Sequence, residues 1–457
     1  MKIIIIGGGP GGYVAAIRGA MLGADVTVIE KSQLGGTCLN TGCIPTKTLL
    51  NSTNILDKLK KAKSFGIKIP EGVEVELDTI MEKKDKTVAQ LVKGIEFIFR
   101  RKNVKIVRGF ARLISRNEVE VINIDEKKQI IKADKIILAT GSLPIVPPLF
   151  PYDGKKIITS EEALCLREIP KSMIIVGGGI IGCEFGQFFN SLGSKITIIE
   201  KEKQLLPFED EDVARQLERS FKRRKIGIKT GHEIRRIDVE EEELVAYCNQ
   251  DLTIKAEKML ISVGRKANLT NLGLEDIGIK TNKGRVVVNE KMETNIEGIY
   301  AIGDIVESPL LAHVASREGI VAMENALGKN NQMSYKAVPR CLYTSPEIAS
   351  VGLTEKEAKR RDLSYRIGKF DFRGLGKAQA IGEYWGFTKI LADDQDKIIG
   401  ATIVGASATE LLAELTLAVE LGLTTGEVRK AIHPHPTLSE GIMEALDDVH
   451  KESIHTI

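Results

Sequence analysis

The sequence predicts an α/β fold of two parallel-sheet domains followed by an α+β domain, and three observations carry that prediction. A strand, a glycine-rich turn, a helix and a second strand open the chain: KIIIIGGGPGGYVAAIRGAMLGADVTVIEK, residues 2–31. The same unit returns at residues 172–201 as SMIIVGGGIIGCEFGQFFNSLGSKITIIEK. From about Ala337 the pattern changes to alternating strands, FTKILA and KIIGATIVG, then an amphipathic helix, Ser407–Leu421.

In the first unit Gly7, Gly9 and Gly12 fill G-x-G-x-x-G directly after a buried strand, and Glu30 ends the next strand. The glycines let the backbone turn tightly and approach a pyrophosphate at the helix N-terminus, while the Glu30 carboxylate accepts from ribose hydroxyls. A tight βα turn without a ligand is the plainer reading of a glycine triplet; the full strand–turn–helix–strand–Glu setting argues for the dinucleotide. In the second unit Gly177, Gly179, Gly182, Gly193, Glu200 and Lys201 align without a gap with Gly7, Gly9, Gly12, Gly23, Glu30 and Lys31. Two Rossmann-like fingerprints imply two dinucleotides, and redox chemistry is what commonly needs two together, a flavin and a nicotinamide. Glu200 favours a ribose 2′-hydroxyl over a 2′-phosphate, hence NAD over NADP, although Lys201 and Lys203 lie close by.

The stretch Gly35–Lys47, GGTCLNTGCIPTK, holds Cys38 and Cys43. Five residues of ideal helix would hold their Cα atoms roughly 8–9 Å apart. A disulfide wants about 4.4–6.8 Å. If the two pair, the backbone between them is tightened or unwound, and Gly42 and Pro45 supply the means. Two unpaired or structural cysteines in a loop are the alternative. Helices are expected from Leu49 to Phe65 and from Leu77 to Lys102. KIILATGS marks a sharp exit from a strand at Ala139–Thr140–Gly141, and the Pro-rich LPIVPPLFP after it places the first domain boundary.

The basic run Lys222–Lys225 closes a helix opened by Glu209–Asp212, which complements the helix dipole, and the acidic run Glu240–Glu243 reads as a solvated hairpin tip. TNIEGIYAIGD, residues 294–304, is a buried strand whose Asp304 sits at a sheet crevice, or else caps a helix. In HPHPTLSE, His435 and Glu440 form a plausible imidazole–carboxylate pair. A zinc site built on H-x-H and a purely structural pair are the rivals.

Composition bounds the rest. The 457 residues suffice for about three domains, with 43% hydrophobic and 28% charged content. A net charge of +3 without a long like-charge block argues against nucleic acid as a partner. No apolar run of about 18 residues is present to span a membrane. The chain opens at once on a strand, so no leader is expected and a cytoplasmic location is. Six cysteines do not make a disulfide framework here, and Cys165, Cys183, Cys248 and Cys341 read as buried small hydrophobes.

Together the motifs GGTCLNTGCIPTK, Ala139–Thr140–Gly141, the fingerprint ending in Glu200, IYAIGD, CLYTSPEIASVGLTE from Cys341, and HPHPTLSE resemble the flavin-dependent pyridine nucleotide-disulfide oxidoreductases, nearest to the branch that oxidises dihydrolipoyl groups. Thr41 and Thr46 stand where that pattern usually has Val and Ser, and Thr41 lies where it could tune the redox pair. The resemblance implies a Cys38–Cys43 disulfide, with Cys38 exchanging with substrate and Cys43 facing the flavin. Lys47 and Glu184 become an ion pair beside the isoalloxazine. His435 with Glu440 becomes the general base, supplied by the partner subunit, which requires a homodimer.

FAD would be held by Gly7, Gly9, Gly12, Glu30, Lys47, Thr140, Gly141, Asp304 and Ala312, and NAD by Gly177, Gly179, Gly182, Glu200 and Gly264. The implied division is an FAD domain with the redox disulfide (1–147), an NAD domain (148–270), a central region completing the FAD site (271–336) and an interface domain (337–457). The implied partners are lipoyl domains of 2-oxoacid dehydrogenase or glycine cleavage complexes. A glutathione-reducing enzyme would favour basic residues over Glu200. A non-catalytic complex subunit would have no need of the cysteine pair or of His435. The tail DDVHKESIHTI lacks the extra cysteine pair that mercuric reductases and large thioredoxin reductases carry.

Overall fold

The computed structural model describes residues 1–69 and 72–456. Its first sheet is parallel, in the spatial order Ile299–Ala301, Lys135–Leu138, Lys2–Ile6, Asp25–Glu30, Lys105–Arg108. Ile3–Ile6, Val26, Val28 and Ile136–Leu138 are all buried, as a parallel sheet covered on both faces demands. The edge strand Ile299–Ala301 comes from far along the chain, so the segment after the second domain returns to complete the first sheet. The second sheet repeats the design, in the order Gly227–Thr230, Lys195–Glu200, Ser172–Val176, Lys258–Ile261, Ile157–Ile158. The third is antiparallel, spanning Arg340–Leu342 to Ile398–Gly405, with the helices Ala408–Leu421 and Glu440–Asp448 packed on it.

Three expectations need correcting. The helix expected from Leu49 runs Cys43–Lys61, followed by a 3-10 turn, Ala62–Phe65. Pro45 does not delay its start, because a first-turn N–H has no intrahelical acceptor to lose. Cys183 and Cys248 are buried, but Cys165 is exposed, in a turn after the helix Ser160–Ala163 whose inward positions go to Ala163 and Leu164. Cys341 is only half-buried and forms part of a cavity wall. The acidic run Glu240–Glu243 does turn between strands Ile234–Val239 and Leu244–Cys248, with Glu240 N–H donating to the Glu243 carbonyl at 2.9 Å. Among the described residues no helix is long and apolar enough to cross a membrane.

The acidic start of the helix Glu211–Arg223 does more than complement a dipole. Lys389, on a central strand of the third sheet and 1% exposed, places its Nζ 2.7 Å from Asp210 and 2.8 Å from Asp212. Burial disfavours the ammonium, but the carboxylates of Asp212 and Asp210 outweigh it and leave Lys389 raised. Beside it, buried Glu209 accepts from Ser350 at 2.6 Å and pairs with Arg340. These contacts join the second domain to the third. Lys389→Met is expected to destabilise the protein by about 3 kcal/mol, near the low end for a broken buried pair because Asp212 also keeps Lys369. Urea denaturation of both proteins measures it; a loss under about 1 kcal/mol would mean the joint contributes no net stability.

Candidate active site

Each fingerprint folds as its glycines require. A Cβ on Gly12 would stand 1.9 Å from the Gly7 carbonyl oxygen, and one on Gly182 would stand 2.0 Å from that of Gly177. The helices therefore sit directly on their turns. Pro10–Met21 and Ile180–Ser191 begin with no side-chain cap, at Gly9 and Gly179, and both helix starts line the same cavity. That is a fit for a pyrophosphate. Glu30 accepts from Gly8 N–H at 2.7 Å and Ser32 N–H at 2.8 Å; Glu200 accepts from Gly178 N–H at 2.6 Å and Glu202 N–H at 2.8 Å. These bonds fix the carboxylates; Glu30 Oε1 also accepts from the Ser32 hydroxyl at 3.1 Å, while Glu30 Oε2 and both oxygens of Glu200 keep a lone pair for a ribose hydroxyl.

The cysteine stretch is unwound between Cys38 and Cys43, as pairing of the two would require. The helix Gly36–Asn40 stops at Thr41, Gly42 leaves helical geometry (φ −146°, ψ −113°), and the next helix starts at Cys43. A Cβ at Gly42 would lie 2.8 Å from the Thr37 carbonyl oxygen, so no larger residue fits this approach unstrained. Thr46 donates to the Gly42 carbonyl at 2.6 Å, a bond the usual Ser could also make. Asn40, which the sequence did not single out, donates to the carbonyls of Leu34 and Gly36 and pins the loop.

Cys38 and Cys43 are unpaired, line the same cavity, and are near enough that each shifts the other's ionisation. The bond from the Cys38 thiol, opposed by burial and helped by Lys47, lowers Cys43 to about 7; the same bond, with burial, pushes Cys38 up. Lys47, one turn past Cys43, meets both Glu184 oxygens at 2.8 and 2.9 Å.

These groups share one cavity of about 2430 Å³. A single small-molecule site takes roughly 300–1,000 Å³, so this one has room for two extended ligands. Its wall runs from Gly7, Gly9 and Glu30 past Cys38, Cys43 and Lys47 to Glu184, Gly177, Gly179 and Glu200. Thr140, Gly141, Asp304, Ala312 and Gly264 line it too, whereas Gly12 and Gly182 lie behind the wall. Asp304 sits in a 3-10 turn, not at a cap, and accepts from Ser142, which in turn accepts from Arg265 Nε at 2.7 Å. Sequence reasoning gave no role to Ser142, Arg265 or Tyr343, although Ser142 ends KIILATGS, Arg265 follows Gly264 and Tyr343 lies in CLYTSPEIASVGLTE.

His435 and Glu440 are not on this wall. His435 Nδ1 lies 2.8 Å from Glu440, whose other oxygen accepts from Thr437 N–H at 2.9 Å. Burial resists ionisation of Glu440, and Thr437 and His435 outweigh it, holding the carboxyl below its usual range. The His435 side chain is 76% exposed on its own chain. His433 instead bonds Glu414 at 3.0 Å, so the two histidines of H-x-H serve different carboxylates. Among the described residues no three His, Cys, Asp or Glu converge to hold a metal.

The family model for pyridine nucleotide-disulphide oxidoreductases matches residues 1–319, and the model of that family's dimerisation domain matches 338–446. The chain belongs to this family. Its cofactors are FAD and NAD, and the matched dimerisation domain points to a homodimer. A dihydrolipoyl dehydrogenase of Bacillus subtilis is 40% identical over 98% of both chains. One of Thermus scotoductus is 40% identical over 100% of this chain and 98% of its own. The crystal structure of LpdA from Mycobacterium tuberculosis superposes with a TM-score of 0.92 at 28% identity, covering 98% of this chain and 99% of that one.

Proposed function

We propose that this oxidoreductase converts protein-bound dihydrolipoamide to lipoamide and reduces NAD+ to NADH through a Cys38–Cys43 disulfide. The observation that carries the reading is the placement of Cys38 and Cys43, beside the Lys47–Glu184 ion pair, on the wall of one cavity flanked by both fingerprints. FAD, when bound, supplies the means of taking an electron pair from the dithiol and delivering it to NAD+ as a hydride. Gly7, Gly9, Glu30, Thr140, Gly141, Asp304 and Ala312 would hold FAD, with Gly12 seating the helix. Gly177, Gly179, Glu200 and Gly264 would hold NAD, with Gly182 in the matching place.

His435 of the second chain, oriented by Glu440, takes the proton of a dihydrolipoyl thiol, because only the thiolate is an adequate nucleophile. That thiolate attacks Cys38 in the disulfide and releases Cys43 as a thiolate. The second substrate thiol then displaces Cys38 and closes lipoamide. Lys47, braced by Glu184, stabilises the charge on Cys43. The partners we infer are lipoyl domains of 2-oxoacid dehydrogenase or glycine cleavage complexes, met in the cytoplasm; pull-down with a lipoylated and an unlipoylated domain, and cell fractionation, check each.

The direct test is NADH formation from dihydrolipoamide and NAD+ by the FAD-loaded protein, with reduced glutathione as the competing substrate. Faster turnover with glutathione would overturn the substrate. The coenzyme gives a second check, because the fixed Glu200 carboxylate would face the extra phosphate of NADPH. NADH is expected to exceed NADPH in kcat/KM by roughly a hundredfold, the scale of two to three kcal/mol for an unpaired charge contact. Glu200→Ala should narrow that ratio, and comparable values in the unmodified protein would sink the assignment.

A further inference from the structure

The ion pair beside Cys43 has a third member, Tyr343, which lies within the CLYTSPEIASVGLTE motif but to which neither that motif nor the reading above assigns a role. Tyr343 follows the first strand of the third sheet, Arg340–Leu342, so it reaches the site from the C-terminal domain. The Lys47 ammonium lies 4.8 Å from the centre of its ring. Its backbone N–H donates to Glu184 at 3.1 Å, and two residues on, Ser345 N–H donates to buried Gln187 at 2.7 Å. Glu184 and Gln187 stand one turn apart on the second fingerprint helix, so residues 343–345 are fastened to that helix at two points.

We propose that Tyr343 is a positioning residue of the redox centre: its ring face and its backbone N–H hold Lys47 and Glu184 in register, so that the ammonium stays where it stabilises a thiolate at Cys43. The physical need is plain. A lysine is a point charge on a flexible stem, and one carboxylate leaves it free to swing about the contact. The negative face of an aromatic ring closes a second side at little desolvation cost. Fixed by its bonds to residues of another domain, the ring cannot follow Lys47 away. The direction agrees with the charges on Cys43, which Lys47 lowers and Glu184 raises. Displacing Lys47 would weaken the favourable charge and leave the unfavourable one.

The proposal rests on Cys43 being the flavin-facing thiol, and two readouts separate the claims. One is the pH midpoint of the long-wavelength thiolate–flavin band of NADH-reduced, anaerobic holoenzyme. The other is the pH midpoint of Cys43 alkylation by iodoacetamide in the dithiol protein, followed by mass spectrometry. Tyr343→Leu should raise both midpoints by about 0.5–1 pH unit, the scale of a partly desolvated cation–ring contact. Tyr343→Phe, which keeps the ring, should leave them in place. Phenylalanines of increasing ring fluorination at position 343 keep the shape and weaken the face, so they should raise the midpoints stepwise even if the Leu variant folds poorly. In a Lys47→Met background Tyr343→Leu should add nothing. A flat fluorination series overturns the proposal, as does an equal Leu shift without Lys47. If the unmodified protein lacks the band while the alkylation midpoints move as stated, the flavin-facing assignment fails and the positioning role stands.

Discussion

Cys43→Ser is expected to abolish lipoamide-linked turnover and, with it, the long-wavelength band of the two-electron-reduced enzyme. Serine has no thiolate to offer at neutral pH and cannot form the disulfide, so both the electron store and the flavin contact go at once. The unmodified protein should show the band fading as pH falls through about 7, because Cys43 is lowered to about that value and its thiolate is lost on protonation. At pH 7 roughly half of Cys43 is ionised, against a few per cent for an ordinary thiol near 8.5, a gain of more than tenfold. Cys38→Ser should stop lipoamide turnover too but leave Cys43 able to contact the flavin. In Cys38→Ala, which removes the donor that a serine hydroxyl would replace, the Cys43 midpoint should rise, since the bond from the Cys38 side chain is the largest influence lowering it. Loss of the band in Cys38→Ser with its persistence in Cys43→Ser would reverse the two roles.

What the sequence made legible is what is encoded over short spans. Each fingerprint is a strand, a turn and a helix within thirty residues, and its glycines are dictated by contacts inside that unit, such as Gly12 against the Gly7 carbonyl. The break between Cys38 and Cys43 followed from helix geometry once the two are taken as the disulfide that the resemblance implies. The groups left unread act across sequence separations of 120 residues or more. Tyr343 meets Lys47 and Lys389 meets Asp210 only because separate domains dock, Arg265 meets Ser142 because the short strands Arg265–Ala267 and Ser142–Pro144 pair, and nothing local to a tyrosine after a strand or a lysine within one names such a partner. Cys341 was misread for the same reason. A half-buried cavity wall and a buried core position carry the same local pattern, and the difference lies in what the neighbouring domain leaves open.

His435 poses the converse problem: the structure of one chain places it, oriented by Glu440, on an exposed surface away from the cavity that holds the cysteines. A base cannot take a proton from a substrate it does not meet, so a second chain joined through the matched dimerisation domain must bring it to Cys38 if it acts at all. His435→Gln is therefore expected to lower dihydrolipoamide turnover by roughly 10²–10⁴-fold, the usual scale for a lost general base. Flavin reduction by NADH, and the reduction of artificial acceptors that follows, should persist because neither step deprotonates a dithiol substrate. Glu440→Gln should lower turnover less, since it leaves the imidazole in place but removes the charge that steadies its protonated form. Mixing His435→Gln chains with Cys38→Ser chains gives the decisive measurement. Each heterodimer would carry one site with both mutations and one with neither, so two inactive preparations should regain activity on subunit exchange. If exchange is verified by mass spectrometry and no activity returns, the site is not shared between chains.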